Sequence, residues 1–148
     1  MINLIVADES YTAEVATLIA ALFEEVEHTP DAETIAEIFA DVDNDERHST
    51  LLAVDEESSE VVGVLTVSES IALYAGGYIG VLNELYVVPE FRSAGVGKML
   101  LDFAKEVGES RGWKRLEVTT PGAEFERTVR FYGREGFHQI GPRMKYEF

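Results

Sequence analysis

The 148 residues predict a single mixed α/β domain over 1–148, a sheet of about seven strands flanked by four helices. Three observations carry that reading. Stretches of strand and helix character alternate in the order β-α-α-β-β-β-α-β-α-β-β, which calls for a mixed sheet with helices on both faces. The length suits one domain with a real core, and no repeat, low-complexity tract or linker divides it. Lastly, an apolar strand runs through Pro89 into a glycine-rich bend that opens a long helix.

Each element has its own signal. Ile2 to Ala7 is a short apolar strand. From Ser10 onward Tyr11, Val15, Leu18, Ile19, Leu22 and Val26 keep helical spacing. His28-Thr29-Pro30 breaks it, with Thr29 expected as the cap and Pro30 as the first position of the next helix. Ile35, Ile38, Phe39 and Val42 give that helix its apolar face. Thr50 to Asp55 and Val61 to Tyr74 read as strands, and Gly76-Gly77 turns the chain into a third, Tyr78 to Val88. Val96, Met99, Leu100, Phe103, Ala104 and Val107 define a helix from about Gly95 to Arg111, with Trp113 packing over its end. Arg115 to Thr120 is a β-branched strand, Glu124 to Glu135 a helix, and a final strand pair is expected around Gly141-Pro142.

Composition excludes several classes of function. The chain has no cysteine, so disulfides and thiolate metal sites are absent, and three scattered histidines suggest no metal centre. It contains no run of roughly 18 apolar residues and opens without a basic, cleavable leader, so no membrane role and a cytoplasmic location are expected. Residues 1–60 hold 17 Asp and Glu against one basic residue, Arg47, whereas residues 61–148 hold 11 of each sign. The whole net charge of −16 therefore lies in the first two-fifths of the chain. Phosphate contacts need a basic surface, so this segment is no nucleic-acid interface.

The bend after the Tyr78–Val88 strand carries the chemistry. Glycines at 95 and 97 let a ligand approach the backbone. The first N–H groups of the following helix lack internal partners and stand at the positive end of its dipole. Such a bend is an anion cradle, to which Arg92 and Lys98 add mobile positive charge. A nucleoside-triphosphate loop would need a glycine where Arg92 stands and Ser or Thr where Met99 stands; a dinucleotide fingerprint would need glycine at Leu100.

What remains, Arg92-x-x-Gly95-x-Gly97 behind Leu85-Tyr86-Val87-Val88-Pro89, resembles the signature of the GNAT superfamily of N-acetyltransferases. Phe131-Tyr132-Gly133-Arg134-Glu135-Gly136-Phe137 is similar to the segment that closes the same fold. The resemblance covers residues 77–140 and implies a mixed, mostly antiparallel sheet. It implies acetyl-coenzyme A as co-substrate, its pyrophosphate wrapped by Arg92, Ser93, Ala94, Gly95, Val96, Gly97 and Lys98. The pantetheine arm would lie in a gap between splayed strands, against the backbone of Tyr86, Val87 and Val88. Relatives often carry an asparagine where this chain has Phe125, so that side-chain contact is absent, and Arg127, Arg130 and Arg134 are candidates for the 3′-phosphate.

Acetyl transfer to an amine needs the amine neutral, which at pH 7 costs about 4.6 kcal/mol for an ammonium of pKa about 10.4. A carboxylate that takes this proton is useful, and Glu84, in a strand expected to be buried, is the candidate base. Strand alternation puts Glu84 with Leu82 and Tyr86, and Asn83 on the other face. Asn83 stands where polyamine-acetylating relatives often carry an acid. Tyr132, matching by position in the closing motif, is the candidate proton donor to the leaving sulfur, and an N–H near Val87 the candidate oxyanion partner. No cysteine exists to carry the acetyl group, which fits direct transfer.

The acidic N-terminal part favours a cationic acceptor, a polyamine or an aminoglycoside-like amine, by steering; its alternative role is solubility. Acetylation of protein amino termini or lysines, and an acyl-coenzyme A sensor without strong catalysis, are the alternatives. His28 is a candidate for lining the acceptor site, Ser68, Ser70, Tyr74 and Tyr78 are equal candidates, and His48 and His138 are expected at the surface. The resemblance also implies pairing of two copies through their last strands.

Overall fold

A computed structural model of the protein describes residues 1–26, 30–120 and 126–148. The chain divides into two compact units, Met1–Glu117 and Val118–Phe148. In order along the chain come β1 (Ile2–Val6), α1 (Thr12–Val26), α2 (Ala32–Val42), β2 (His48–Asp55), β3 (Val61–Ala72), β4 (Gly77–Val87), α3 (Val96–Arg111), β5 (Leu116–Val118) and α4 (Glu126–Arg134). One sheet has the order β1-β2-β3-β4-β5, and β1 to β4 pair antiparallel. The mixed α/β class and the four helices are as expected, but the sheet has five strands among the described residues instead of about seven.

In the first unit, local chemistry sets the helix starts. Asp31, not Thr29, caps α2: its carboxylate accepts from the Thr34 amide at 2.9 Å, a contact worth about 1 kcal/mol. Pro30 precedes that helix, and Thr29 and His28 lie outside the described residues. On one face of the sheet Val15, Leu18 and Ile19 of α1 and Ile35 and Phe39 of α2 bury Leu52, Val64 and Tyr86. Burying such side chains stabilises by roughly 1.5–3 kcal/mol each. Against the other face lies α3. A Cβ at Gly63 would sit 2.9 Å from Leu100 and 3.1 Å from Val96, so glycine is what lets the helix press so closely. Leu51, Leu65, Val67, Leu100 and Leu101 are fully buried.

Helix α3 ends at Gly112, whose left-handed φ of 73° returns the Trp113 amide to the Gly108 carbonyl at 2.9 Å. The indole then covers Gly108 and Gly80 and donates its N–H to Glu69 at 2.6 Å.

In the second unit, α4 closes through Gly136, with the Phe137 amide bonded to the Tyr132 carbonyl at 3.0 Å. Residues 137–148 hold no helix or strand, so the pair expected around Gly141-Pro142 is absent from them. Proline offers no N–H to a ladder, and Gly141 takes a φ of 133°, which breaks an extended run.

Candidate active site

The bend between β4 and α3 is built by backbone conformation. Pro89–Phe91 makes a single tight turn, and Ser93 and Gly95 then adopt φ of 69° and 82°. A serine in the left-handed region is costly and concentrates at functional sites. The Met99 amide makes a bond inside α3, to the Gly95 carbonyl at 3.0 Å. The amides of Val96 and Gly97 come before it, at the positive end of a 16-residue helix. Among the described residues, a Cβ at Gly95 would meet nothing within 4 Å. This geometry fits a diphosphate held by backbone N–H groups.

Both flanking cations are engaged instead of mobile. Arg92 donates from Nε to the Val87 carbonyl at 2.9 Å and from its guanidinium to Glu25 of α1 at 2.7 Å. It also lies over the Tyr86 ring, 5.3 Å from the centroid. Glu25 accordingly raises the Arg92 pKa above its usual value. Lys98 bonds Asp102 one turn along α3 at 2.9 Å.

The end of β4 presents one residue outward. Val88 donates its amide to Val62 of β3 at 2.9 Å. Backbone groups alternate along a strand, so those of Val87 point to the opposite edge, where Arg92 meets the carbonyl. The Val87 N–H therefore faces the side on which an extended ligand could add.

Glu84 lies three residues before Val87, about 10 Å at strand spacing. It is half-buried, and Thr66 holds it twice. The Thr66 hydroxyl donates to Glu84 Oε1 at 2.6 Å and accepts the Glu84 amide at 3.0 Å. The register corrects the expected alternation. Thr66 pairs Glu84 but Val67 pairs Leu82, so Asn83 is the extra residue of a bulge. Leu82 therefore lies on the face opposite Glu84. Asn83 joins the Glu84 face, its Nδ2 donating to Ser68 at 2.8 Å.

His48, expected at the surface, belongs to the same polar patch. Its Nε2 is 3.1 Å from the Thr50 hydroxyl and its Nδ1 3.5 Å from that of Ser68. Burial pushes its pKa below the usual value, against the pull of Asp45 and Asp43. Thr50 and Thr66, its neighbours on this face, are buried at 3% and 4% exposure. The sequence signal was present in the pattern His48-x-Thr50 facing Thr66-x-Ser68, a run of polar residues at strand alternation inside apolar strands. Of the other hydroxyl candidates, Tyr74 donates to Glu117 at 2.7 Å. An open pocket of about 630 Å³ adjoins the patch at His48 and Thr50, and Glu84 does not line it.

Tyr132 belongs to the second unit, on α4. Only 6% of it is exposed, and its ring makes edge contacts with Phe131 and Phe137 at 5.1 and 5.4 Å. Burial raises the phenol pKa above its usual value, keeping it protonated. Arg130 pairs with Glu126 at 3.7 Å, both exposed, and Phe125 lies outside the described residues. Among the described residues no three His, Cys, Asp or Glu side chains cluster to hold a metal, and no helix is long and apolar enough to cross a membrane.

Residues 12–137 match the model of the Acetyltransferase (GNAT) family. The chain belongs to that family. It is 33% identical over 82 residues to the aminoalkylphosphonate N-acetyltransferase of Salmonella typhimurium, a match covering 55% of this chain and 53% of that protein. The chain thus spans about half the length of that relative. Solved structures share the fold. The ribosomal-protein-alanine N-acetyltransferase from Brucella melitensis biovar Abortus 2308 superposes with a TM-score of 0.82 at 19% identity over 100% of both chains. The aminoglycoside N-acetyltransferase AAC(6')-Iy in complex with CoA does so with 0.85 at 15% identity, over 100% of this chain and 95% of that one.

Proposed function

We propose that this chain transfers an acetyl group from acetyl-coenzyme A directly to the primary amine of a small cationic acceptor. The observation that carries the reading is the bend at Ser93–Gly97, placed at the head of α3 in a GNAT fold. Backbone amides of Val96 and Gly97 hold the pyrophosphate, and the extended arm lies along the outward edge of β4, which leaves the Val87 N–H for the acyl oxygen. Acetyl-coenzyme A supplies an activated acyl thioester when bound.

Glu84 takes the proton from the acceptor's ammonium, its carboxylate held in place by Thr66. The Val87 N–H donates to the acyl oxygen as charge gathers there. The closing-motif resemblance assigns Tyr132, which burial keeps protonated, as the residue that would supply a proton to the departing sulfur. A cationic acceptor is supported by the 17 carboxylates of residues 1–60. That same charge argues against an anionic aminoalkylphosphonate, the substrate class in the Salmonella relative's name.

Calorimetry with acetyl-coenzyme A, on the natural chain and on a Gly95→Glu, Gly97→Glu variant, tests the cradle. Micromolar binding lost in the variant is expected. Thiol release is then measured with spermidine, kanamycin, 2-aminoethylphosphonate and a lysine peptide. Turnover confined to the peptide would replace the small acceptor by a protein one. Binding without any turnover would leave a sensor.

A further inference from the structure

The bulge in β4 sets two neighbouring side chains on one face, each held by a hydroxyl of β3. Thr66 holds Glu84, and Ser68 holds Asn83. Behind Ser68 stands His48, and behind His48 stands Thr50. One direction of donation links these contacts into a chain. A hydroxyl that accepts from Asn83 has its own O–H to give, and His48 Nδ1, 3.5 Å away, is the ring atom within reach. With Ser68 donating to Nδ1, the imidazole would carry its proton on Nε2, 3.1 Å from the Thr50 hydroxyl. Burial favours the neutral ring that this arrangement requires. With Nδ2 of Asn83 bonded to Ser68, its Oδ1 is left on the other side of the amide group.

We propose that Asn83 and Glu84 form a two-oxygen fork for the acceptor's amine, and that His48, acting through Ser68, is the positioning residue that keeps the Asn83 carbonyl oxygen turned toward it. The inference rests on the acetyltransferase reading and names the groups that recognise the acceptor. A primary ammonium brings three N–H donors. One N–H breaks as its proton moves to Glu84, forming the carboxylic O–H. A second is held by Asn83 Oδ1, which is too weakly basic to compete for the proton. The lone pair is released along the bond that broke, facing Glu84, and the hydrogen bond to Asn83 Oδ1 keeps the nitrogen in place while the amine turns to present that lone pair to the acyl carbon. Asn83, the residue that cannot serve as a base, thereby gains a use in aiming one.

The test has two arms on the full chain. In the first, ring ¹⁵N spectra of the unliganded protein, assigned with His48→Gln, report the His48 tautomer. An Nε2–H ring that becomes a mixture in Ser68→Ala is expected; an Nδ1–H ring in the natural chain overturns the proposal. The second arm measures thiol release with spermidine as probe. His48→Leu should raise the spermidine KM about tenfold, as loss of one oriented hydrogen bond to a charged group implies. The KM for acetyl-coenzyme A and kcat should stay within about twofold. His48→Asn, whose side-chain oxygen can replace Nδ1, should restore the spermidine KM. Asn83→Ala should match His48→Leu, and the double variant should be no worse than either, because both act through one oxygen. Additive effects, or a KM unmoved by His48→Leu, overturn the role of His48. Absence of spermidine turnover by the natural chain counts against the acceptor class proposed above and against the fork, and the ring spectrum still decides the orientation assigned to His48.

Discussion

Arg92 shows how one side chain can be held back from its expected ligand. Its guanidinium is turned to Glu25 and its Nε to Val87, so a pyrophosphate in the bend must compete for it. The pair is about half exposed, with side chains at 44% and 46%, and exposed pairs contribute roughly 0–1 kcal/mol. Glu25→Gln should therefore tighten acetyl-coenzyme A binding by up to about fivefold, read by calorimetry. Weaker binding in that variant would mean that Glu25 holds Arg92 in its working position. Tyr132 makes a second residue-level prediction. Burial lifts its phenol above the usual 10.0, so the donor form is present below the raised value and is lost only as pH climbs through it. Tyr132→Phe should lower kcat about a hundredfold, by the same factor at pH 7 and pH 9. A factor that shrinks on going to pH 9 would show that the phenol titrates in that range and is not shielded.

At the scale of elements, Gly80, like Gly63, sets how closely layers meet. A Cβ at Gly80 would stand 2.4 Å from the Trp113 ring and 2.7 Å from Leu116, so Gly80→Ala forces the indole off β4 and strains its bond to Glu69. Overpacking of this kind costs about 1–3 kcal/mol. In a chain of this size that lowers the melting temperature by roughly 2–4 °C per kcal/mol, measurable by thermal denaturation. An unchanged midpoint would mean that the ring has room to shift. Elements of this kind were legible in the sequence wherever periodicity decides: β1 to β4 and α1 to α4 fall where spacing puts them. The bulge was not, because alternation assumes an unbroken register, and only the adjacent polar pair Asn83-Glu84 within an apolar strand hints otherwise. The α2 cap was missed because Thr29 and Asp31 both precede the apolar face, and choosing between them takes the backbone geometry around Pro30. The bend was legible at Gly95, which takes a left-handed φ, but not at Ser93, which takes one without being glycine. The hydrogen-bond partners of Glu84, Asn83 and His48 were not, since they come from strands paired across 15 to 20 positions.

Across the whole molecule the dominant quantity is charge, and it is uneven. The −16 net charge comes from residues 1–60, which include α1 and α2, whereas the bend and its cations belong to the neutral remainder. If the acceptor is cationic, as proposed, this field would draw it toward the acidic segment before contact. Steering of that kind acts on encounter more than on chemistry, and it is screened over a Debye length of about 10 Å at 0.1 M salt. The expected signature is a kcat/KM for spermidine that falls several-fold between about 20 and 300 mM salt, while kcat at saturation hardly moves. A neutral amine such as glycinamide, studied above its ammonium pKa, should show a flat profile over the same range. If spermidine and glycinamide respond alike, the acidic segment serves solubility and the acceptor is chosen locally, by the groups around Glu84. If only spermidine responds, the acidic segment is part of how this protein finds its acceptor.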